Sequence, residues 1–321
     1  MECCTAEFFC DLDSLESFSG GGVRISASLQ LVGPAGSAVP TTAELAVAST
    51  VLGKVFLLSI ETGQMVANFN ACEDPDDELK SIAFDPTDAS LFVLMDDRLT
   101  RWRKTLEWNQ VDVTMDLPGE CECLSVDGEG RVLLDGDGPC WLSPTLDQIE
   151  NVEFDPLPPE PPKAVDGDTD KVYERAVWEA ETVDLTCALA VACLDSSIFF
   201  YSQDTRSVHH LVPGSTTARE LSARQPRMSR GLVVHMESKL PEEGCCCTSP
   251  QGSMFLVGYD DSGQLILQSY GIERAPTCKS LIGFETRPAQ LDSITVDSAG
   301  WLYLCIVEKW PMKRAIYRVR V

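Results

Sequence analysis

The stretch LDSITVDSAGWLYLCIVEKWPMKRAIYRVRV, residues 291–321, contains three apolar runs and one tight turn. Within the turn, Asp297 can accept hydrogen bonds from the backbone that follows it, and Gly300 tolerates a positive φ. The apolar runs that flank this turn have the length of β-strands. The stretch therefore predicts a β-hairpin followed by a third strand.

The same pattern recurs along the chain. Closely related turns, each followed by an apolar run, lie in FDPTDASLFVL (84–94), VDGEGRVLL (126–134) and SPQGSMFLV (249–257). Strands that are apolar on both faces must be covered on both sides, as when four-stranded sheets stack around a common axis. The repeat predicts an all-β fold, a β-propeller of six blades built from four-stranded antiparallel sheets, with seven blades as the alternative count.

The predicted domain organisation is an N-terminal arm over residues 1–19 and a single propeller domain over residues 20–321. A Pro- and Asp-rich insert loop spans residues 154–182, and it carries one short helix over residues 171–181. For ring closure, we expect residues 23–32 to pair as a strand within the blade formed by residues 279–321.

Composition limits the function and the compartment. Lysine and arginine total 25 against 50 aspartate and glutamate, which gives a formal net charge of −25. A nucleic-acid backbone would repel such a surface, so protein partners of basic character are expected and nucleic acid is not. No apolar run reaches the length of a membrane span, and the first residues lack a signal-peptide pattern. With 14 cysteines expected as buried thiols, we predict a cytoplasmic protein.

Two segments resemble known propeller families. SITVDSAGWLYL (293–304) resembles the strand–turn–strand core of NHL and SMP-30/gluconolactonase-like propellers, and GKVFLLSIETGQMVANF (53–69) looks like a WD40 blade. The full G-H…W-D signature of WD40 repeats is absent from the sequence. The resemblance implies a propeller that serves as a protein-binding scaffold or complex subunit through the loops on its faces, without a cofactor.

The resemblance to SMP-30-like lactonases also implies a candidate metal site. In that family an aspartate in the position of Asp292 helps to hold a divalent metal on the central axis. Acidic residues at the starts of the expected inner strands include Glu44 and Glu122, which would add oxygen ligands for Ca²⁺ or Zn²⁺. The alternative function is therefore a metal-dependent lactonase or esterase. In the competing interpretation, Asp292 is a polar residue near the axis that backbone groups or water satisfy.

The remaining polar motifs carry weaker signals. The insert contains DGDTD, whose acids Asp166, Asp168 and Asp170 are candidate partner-binding residues; the calcium-loop pattern they resemble lacks its final glutamate. Cys121 and Cys123 are expected to share one strand face as core thiols, since structural zinc spacing is absent. The pair His209–His210 is interpreted as a surface feature. No nucleophile elbow, metalloprotease or phosphate-loop motif occurs.

Overall fold

The structure is a computed structural model of the chain. It describes residues 2–13, 27–32, 44–49, 53–72, 77, 79–105, 107–114, 117, 119, 121, 123–135, 138–147, 149–153, 189–202, 207–221, 244–249, 252–259, 264–272, 276–285, 288–309 and 312–321. The predicted insert loop over residues 154–182 and its helix lie outside the described residues. Among the described residues, there is no helix with the length and apolarity needed to cross a bilayer.

The described elements are β-strands arranged in four four-stranded sheets and one eight-stranded sheet. Sheet 1 contains β2 (Ala27–Val32), β3 (Glu44–Ser49), β4 (Lys54–Ser59) and β5 (Met65–Asn70). Sheet 2 contains β6 (Leu79–Asp85), β7 (Ser90–Met95), β8 (Leu99–Lys104) and β9 (Trp108–Thr114). Sheet 3 contains β10 (Leu124–Val126), β11 (Val132–Leu134), β12 (Cys140–Leu142) and β13 (Ile149–Asn151). Sheet 4 contains β14 (Leu189–Ala192), β15 (Ile198–Ser202), β16 (Ser207–Leu211) and β17 (Arg219–Glu220).

The eight-stranded sheet consists of two halves. Half-sheet 5 contains β18 (Gly244–Thr248), β19 (Ser253–Tyr259), β20 (Leu265–Gly271) and β21 (Thr277–Ile282). Half-sheet 6 contains β22 (Pro288–Val296), β23 (Trp301–Lys309), β24 (Met312–Arg320) and β1 (Glu2–Asp11). In each sheet or half-sheet the first strand named, β1 aside, is the inner strand, and inner strands of successive sheets contact one another.

The repeated turn forms as its sequence predicts. Asp127 Oδ1 accepts hydrogen bonds from the N–H groups of Glu129 and Arg131, both at 2.9 Å. Asp297 Oδ1 likewise accepts from the N–H of Trp301 at 2.7 Å. The last turn residue has positive φ in each copy, 79° at Gly130 and 81° at Gly300. The turn motif is therefore confirmed, because an acid and a residue in the left-handed region together reverse the chain.

Both faces of the sheets are buried. In β3, Leu45 and Val47 pack into the cluster shared with half-sheet 6, while Ala46 and Ala48 pack into the cluster shared with sheet 2. Alternate strand residues point to opposite faces, so one strand contributes to two cores. Successive sheets meet in this way in six clusters of described residues, and the series returns from half-sheet 6 to sheet 1.

The sheet series closes through β1, not through the segment predicted for closure. Residues 27–32 of that segment form β2, which pairs with β3 in sheet 1. Instead, Ala6 to Asp11 pair antiparallel with β24, and Glu2 to Thr5 pair parallel with β21 of half-sheet 5. The prediction was wrong because both N-terminal segments are strands, and their order in space depends on non-local pairing.

The fit of β1 against half-sheet 5 can be tested with two glycines of positive φ. A Cβ on Gly283 would lie 2.7 Å from the carbonyl oxygen of Ala6, whereas a Cβ on Gly252 would meet nothing within 4 Å. We expect Gly252→Ala to lower the free energy of unfolding by about 1–2 kcal/mol, the cost of left-handed backbone. Gly283→Ala should lose a further 1–3 kcal/mol or so from overpacking against β1. Urea unfolding measures both, and equal losses would contradict the described contact.

Candidate functional site

Asp292 lies in the inner strand β22 and is 6% exposed. The pairing of β22 with β23 shifts register between Leu291 and Ser293, so Asp292 is the extra residue of a β-bulge. A bulge re-aims the side chain relative to a regular strand, which distinguishes Asp292 from its neighbours in β22. The structure thus places a buried carboxylate in the middle of the inner strand β22, whereas the sequence analysis placed it at the start of a strand.

Glu44 does not lie at the start of an inner strand. It begins β3, the second strand of sheet 1, because β2 occupies the inner position. Its Oε1 atom accepts a hydrogen bond from Lys104 Nζ at 3.3 Å. The carboxylate therefore has a cationic partner on sheet 2, at the end of β8.

The other proposed ligands and partner-binding residues are not covered. Glu122, Asp166, Asp168 and Asp170 lie outside the described residues. Among the residues that the structure does describe, no group of three or more His, Cys, Asp or Glu side chains is placed to hold a metal ion. The metal site on Asp292 stays a prediction.

The two adjacent histidines are buried, which corrects their interpretation as surface residues. His209 and His210 lie in β16 and are 2% and 3% exposed. The ring of His210 lies 4.7 Å from that of Phe199. Burial lowers the pKa of His209 from 6.5 to about 4 and also lowers the pKa of His210. Both imidazoles are therefore neutral core groups near pH 7.

Most of the cysteines whose side chains the structure describes are buried. Burial raises the pKa of Cys10 and Cys72 to about 11 and that of Cys140 to about 12, which keeps these sulfurs protonated near neutral pH. Cys121 and Cys123 do not share a face. Cys121 packs into the cluster between sheets 2 and 3, and Cys123 packs against the cluster between sheet 4 and half-sheet 5. Both residues precede β10, so strand alternation does not govern them.

Acidic side chains gather where the chain passes from each outer strand to the next inner strand. We call this end of the sheets the loop face. Its described charged residues include Asp11, Asp77, Lys80, Asp96, Asp97, Arg98, Glu285 and Lys313. Cys72, after β5, and Met95, which ends β7, have sulfur atoms 3.4 Å apart, so neighbouring sheets present this end together.

Three cations of the loop face are paired with acids. Lys80 lies 3.2 Å from Asp96, and Arg98 bonds Asp77 as well as Asp97. The hydrogen bond that Arg98 donates to Asp77 raises the pKa of Arg98.

Lys313, the third cation, is shared between Asp11 at 3.4 Å and Glu285 at 3.9 Å. Because acids outnumber cations in these pairs, the described loop face keeps net negative charge. The acid runs in the sequence were the available signal for this surface, but its pairing was not predictable from them.

The opposite end, which we call the turn face, consists of the turns at 85–89, 127–131, 193–197, 249–253 and 297–301. Several of its acids bond to residues of the same or the neighbouring turn, although Glu129 is 72% exposed. Asp127 Oδ2 accepts from Arg131 Nε at 2.9 Å and from Ser196 Oγ of the next sheet at 2.8 Å. Arg101 donates to Asp88 at 2.7 Å and to the carbonyl oxygen of Pro144 at 2.7 Å. These contacts join adjacent turns and leave less charge for a partner.

Comparison with known proteins identifies the fold. No family model matches the chain, and no curated protein is similar to it in sequence. The β-propeller domain of Cps50 (Swd1) from Myceliophteria thermophila superposes with a TM-score of 0.54 at 11% identity, over 93% of this chain and 98% of that chain. A streptogramin B lyase structure superposes with a TM-score of 0.51 at 10% identity, over 98% of this chain and 97% of the lyase.

At these identities the similarity shows the fold alone. The chain is a β-propeller of four-stranded antiparallel sheets. The narrower resemblance to NHL and SMP-30-like propellers stays a prediction.

The buried histidine predicts acid sensitivity. Because folding lowers the pKa of His209 from 6.5 to about 4, the unfolded chain binds a proton in this window that the folded chain does not. The contribution of His209 to the free energy of unfolding is therefore fully retained above pH 6.5. It is lost as the pH falls towards 4, by up to about 1.4 kcal/mol per pH unit. In His209→Leu the slope of unfolding free energy against pH should decrease correspondingly. Urea unfolding from pH 7.5 to 4.5 measures it, and parallel profiles would contradict the prediction.

Proposed function

We propose that this protein is a six-bladed β-propeller that acts in the cytoplasm as a non-catalytic scaffold or complex subunit and needs no cofactor. Its loop face docks a protein partner of basic character. The single observation that carries the proposal is the excess of acid on the described loop face, where Lys80, Arg98 and Lys313 are already engaged. The carboxylates that remain exposed there include Asp96 and Asp97, whose side chains are each 54% exposed.

The series of sheets supports the proposed count of six blades. Six core clusters among the described residues link sheet 1 through half-sheet 6 and back to sheet 1, which supports one cluster per pair of neighbouring blades. A ring of stacked sheets is rigid because each blade is held on two sides. A rigid disc offers partners two flat faces and an outer rim.

The rim is poorly suited to strand addition by a partner. Outer strands β1, β5 and β9 each carry a β-bulge, at Phe9, Val66 and Val111. β13 has three residues and β17 has two, and β21 is covered by β1. Bulged, short or covered edges discourage edge-to-edge pairing. A partner is therefore expected on one of the two faces, and the net negative charge of the loop face favours the loop face over the turn face.

A pair of matched variants tests this assignment. Asp96→Lys with Asp97→Lys reverses two exposed carboxylates of the loop face. Glu61→Lys with Glu129→Lys reverses two exposed acids at the other end of the sheets, where Glu129 is 72% exposed. We expect the loop-face variant to lose most captured protein in pull-downs from native lysate, since charge repels the basic partner. The Glu61/Glu129 variant should retain it.

The same pull-down has a salt control. Capture by the unchanged protein should weaken as ionic strength rises, because exposed charges are screened. Equal capture by both variants, or loss confined to the Glu61/Glu129 variant, would reject the loop face as the docking surface.

The alternative function is a metal-dependent lactonase or esterase with Asp292 as a ligand. The observation that favours it is the buried carboxylate of Asp292 at a bulge in an inner strand. The name of one structural neighbour, streptogramin B lyase, shows that a similar fold can belong to an enzyme. If this function holds, a divalent ion should copurify and Asp292→Asn should lose both the ion and activity on a lactone panel. Metal analysis of the unchanged protein that finds no stoichiometric ion would reject it.

A further inference from the structure

The strand β24 concentrates basic side chains in a strongly acidic protein. Three of them face acids in or just after β1. Arg318 Nε lies 3.4 Å from a carboxylate oxygen of Glu7, and Lys313 Nζ lies 3.4 Å from one of Asp11. Arg314 Nη1 lies 3.5 Å from Asp13 Oδ1. The basic side chains of β24 are therefore the electrostatic complement of β1.

β1 fills a cleft between two strand edges. Its residues Glu2 to Thr5 pair with β21, and its residues Ala6 to Asp11 pair with β24. Neither β21 nor β24 shows a register shift against its inner neighbour, so both edges that receive β1 are regular. This contrasts with the bulged outer strands β5 and β9. The β21–β24 cleft therefore has the geometry of a strand receptor.

β1 buries few apolar side chains for its length. Its buried side chains are those of Cys4, Ala6 and Cys10. Phe8 is 43% exposed, with its ring 5.8 Å from that of Tyr317, and the ring of Phe9 lies 5.4 Å from that of Tyr303. β23, by comparison, buries Leu302, Tyr303, Leu304, Cys305 and Ile306 at 1% exposure or less. Backbone hydrogen bonds and ion pairs, together with these two ring contacts, attach β1 to its neighbours. Segments that bury little apolar surface open before the rest of the fold does.

We propose that the β21–β24 cleft is a strand-binding site that accepts β1 of a second copy of this chain as it accepts its own, which produces a strand-exchanged dimer. The pairing register and the charge pattern are the same in both cases, so the exchanged strand keeps every contact of the closed monomer. A tethered strand has an effective concentration in the millimolar range, so closure within one chain dominates in dilute protein. If the charges of β1 and β24 repel within one chain but attract between two chains, the balance shifts towards the dimer.

Two full-chain variants create that mismatch. Glu7→Lys with Asp11→Lys reverses the charge of β1, and Lys313→Glu with Arg318→Glu reverses the charge of β24. In either variant alone, the β1 and β24 side chains that face each other within one chain carry charges of the same sign. Mixed, each β1 finds its opposite charge on the other chain. The chain that carries all four substitutions restores matched charges within one molecule and serves as the control.

Native mass spectrometry and amide hydrogen exchange report the outcome. In each separate variant, we expect monomers whose β1 amides exchange about tenfold faster, while β23 amides are unchanged and show that the fold is intact. An equimolar mixture at about 100 μM of each variant should give a heterodimer with slow β1 exchange, because only pairing between the two chains matches the charges. The four-substitution chain should be a monomer with slow β1 exchange.

Three results would overturn the proposal. One is a mixture that stays monomeric with β1 exchange as fast as in the separate variants. Another is dimerisation of either variant alone, which would assign association to a different surface. The third is a monomeric mixture in which the variant with reversed β1 captures a free peptide of residues 2–13, because the cleft would then take an unlinked strand rather than exchange copies.

Discussion

The fold depends on strands that are apolar on both faces. In β3 the alternating pairs Leu45/Val47 and Ala46/Ala48 belong to two different cores, so sheet 1 must be covered on both sides. A neighbouring sheet that covers one face has an uncovered apolar face of its own, which requires a further sheet. The series is complete when the last sheet packs against the first. Closure is thus a consequence of two-sided burial, and β1 is the strand that completes the half-sheet where the series closes.

This constraint also sorts the polar residues. Inter-sheet contacts at the turn face, such as Ser196 to Asp127 and Arg101 to Pro144, use charged groups to lock neighbouring turns together. Ion pairs such as Arg98 with Asp77 join connections at the loop face as well, but acids exceed cations among the pairs described there.

Three errors of sequence interpretation share one cause. Residues 27–32 and Glu2 to Asp11 both have strand character, and sequence pattern alone favoured the former for closure. Glu44 looked like the start of an inner strand because the strand that precedes it, β2, had been placed elsewhere. His209 and His210 looked exposed because histidine is polar, yet β16 continues through them and a neutral imidazole can be buried. Each depended on which strand lies beside which.

The sequence by itself determined the local rules: an all-β chain, the Asp-led turn with a left-handed last residue, and strands that need cover on both faces. These depend on backbone conformation and on alternation, which neighbouring residues decide. Tertiary structure alone decided that β1 joins β21 to β24, that Asp292 lies in a bulge, and which acids meet Lys80, Arg98 and Lys313. Such pairings join residues far apart in the chain, and small energy differences among many alternatives select them, so no local pattern encodes them.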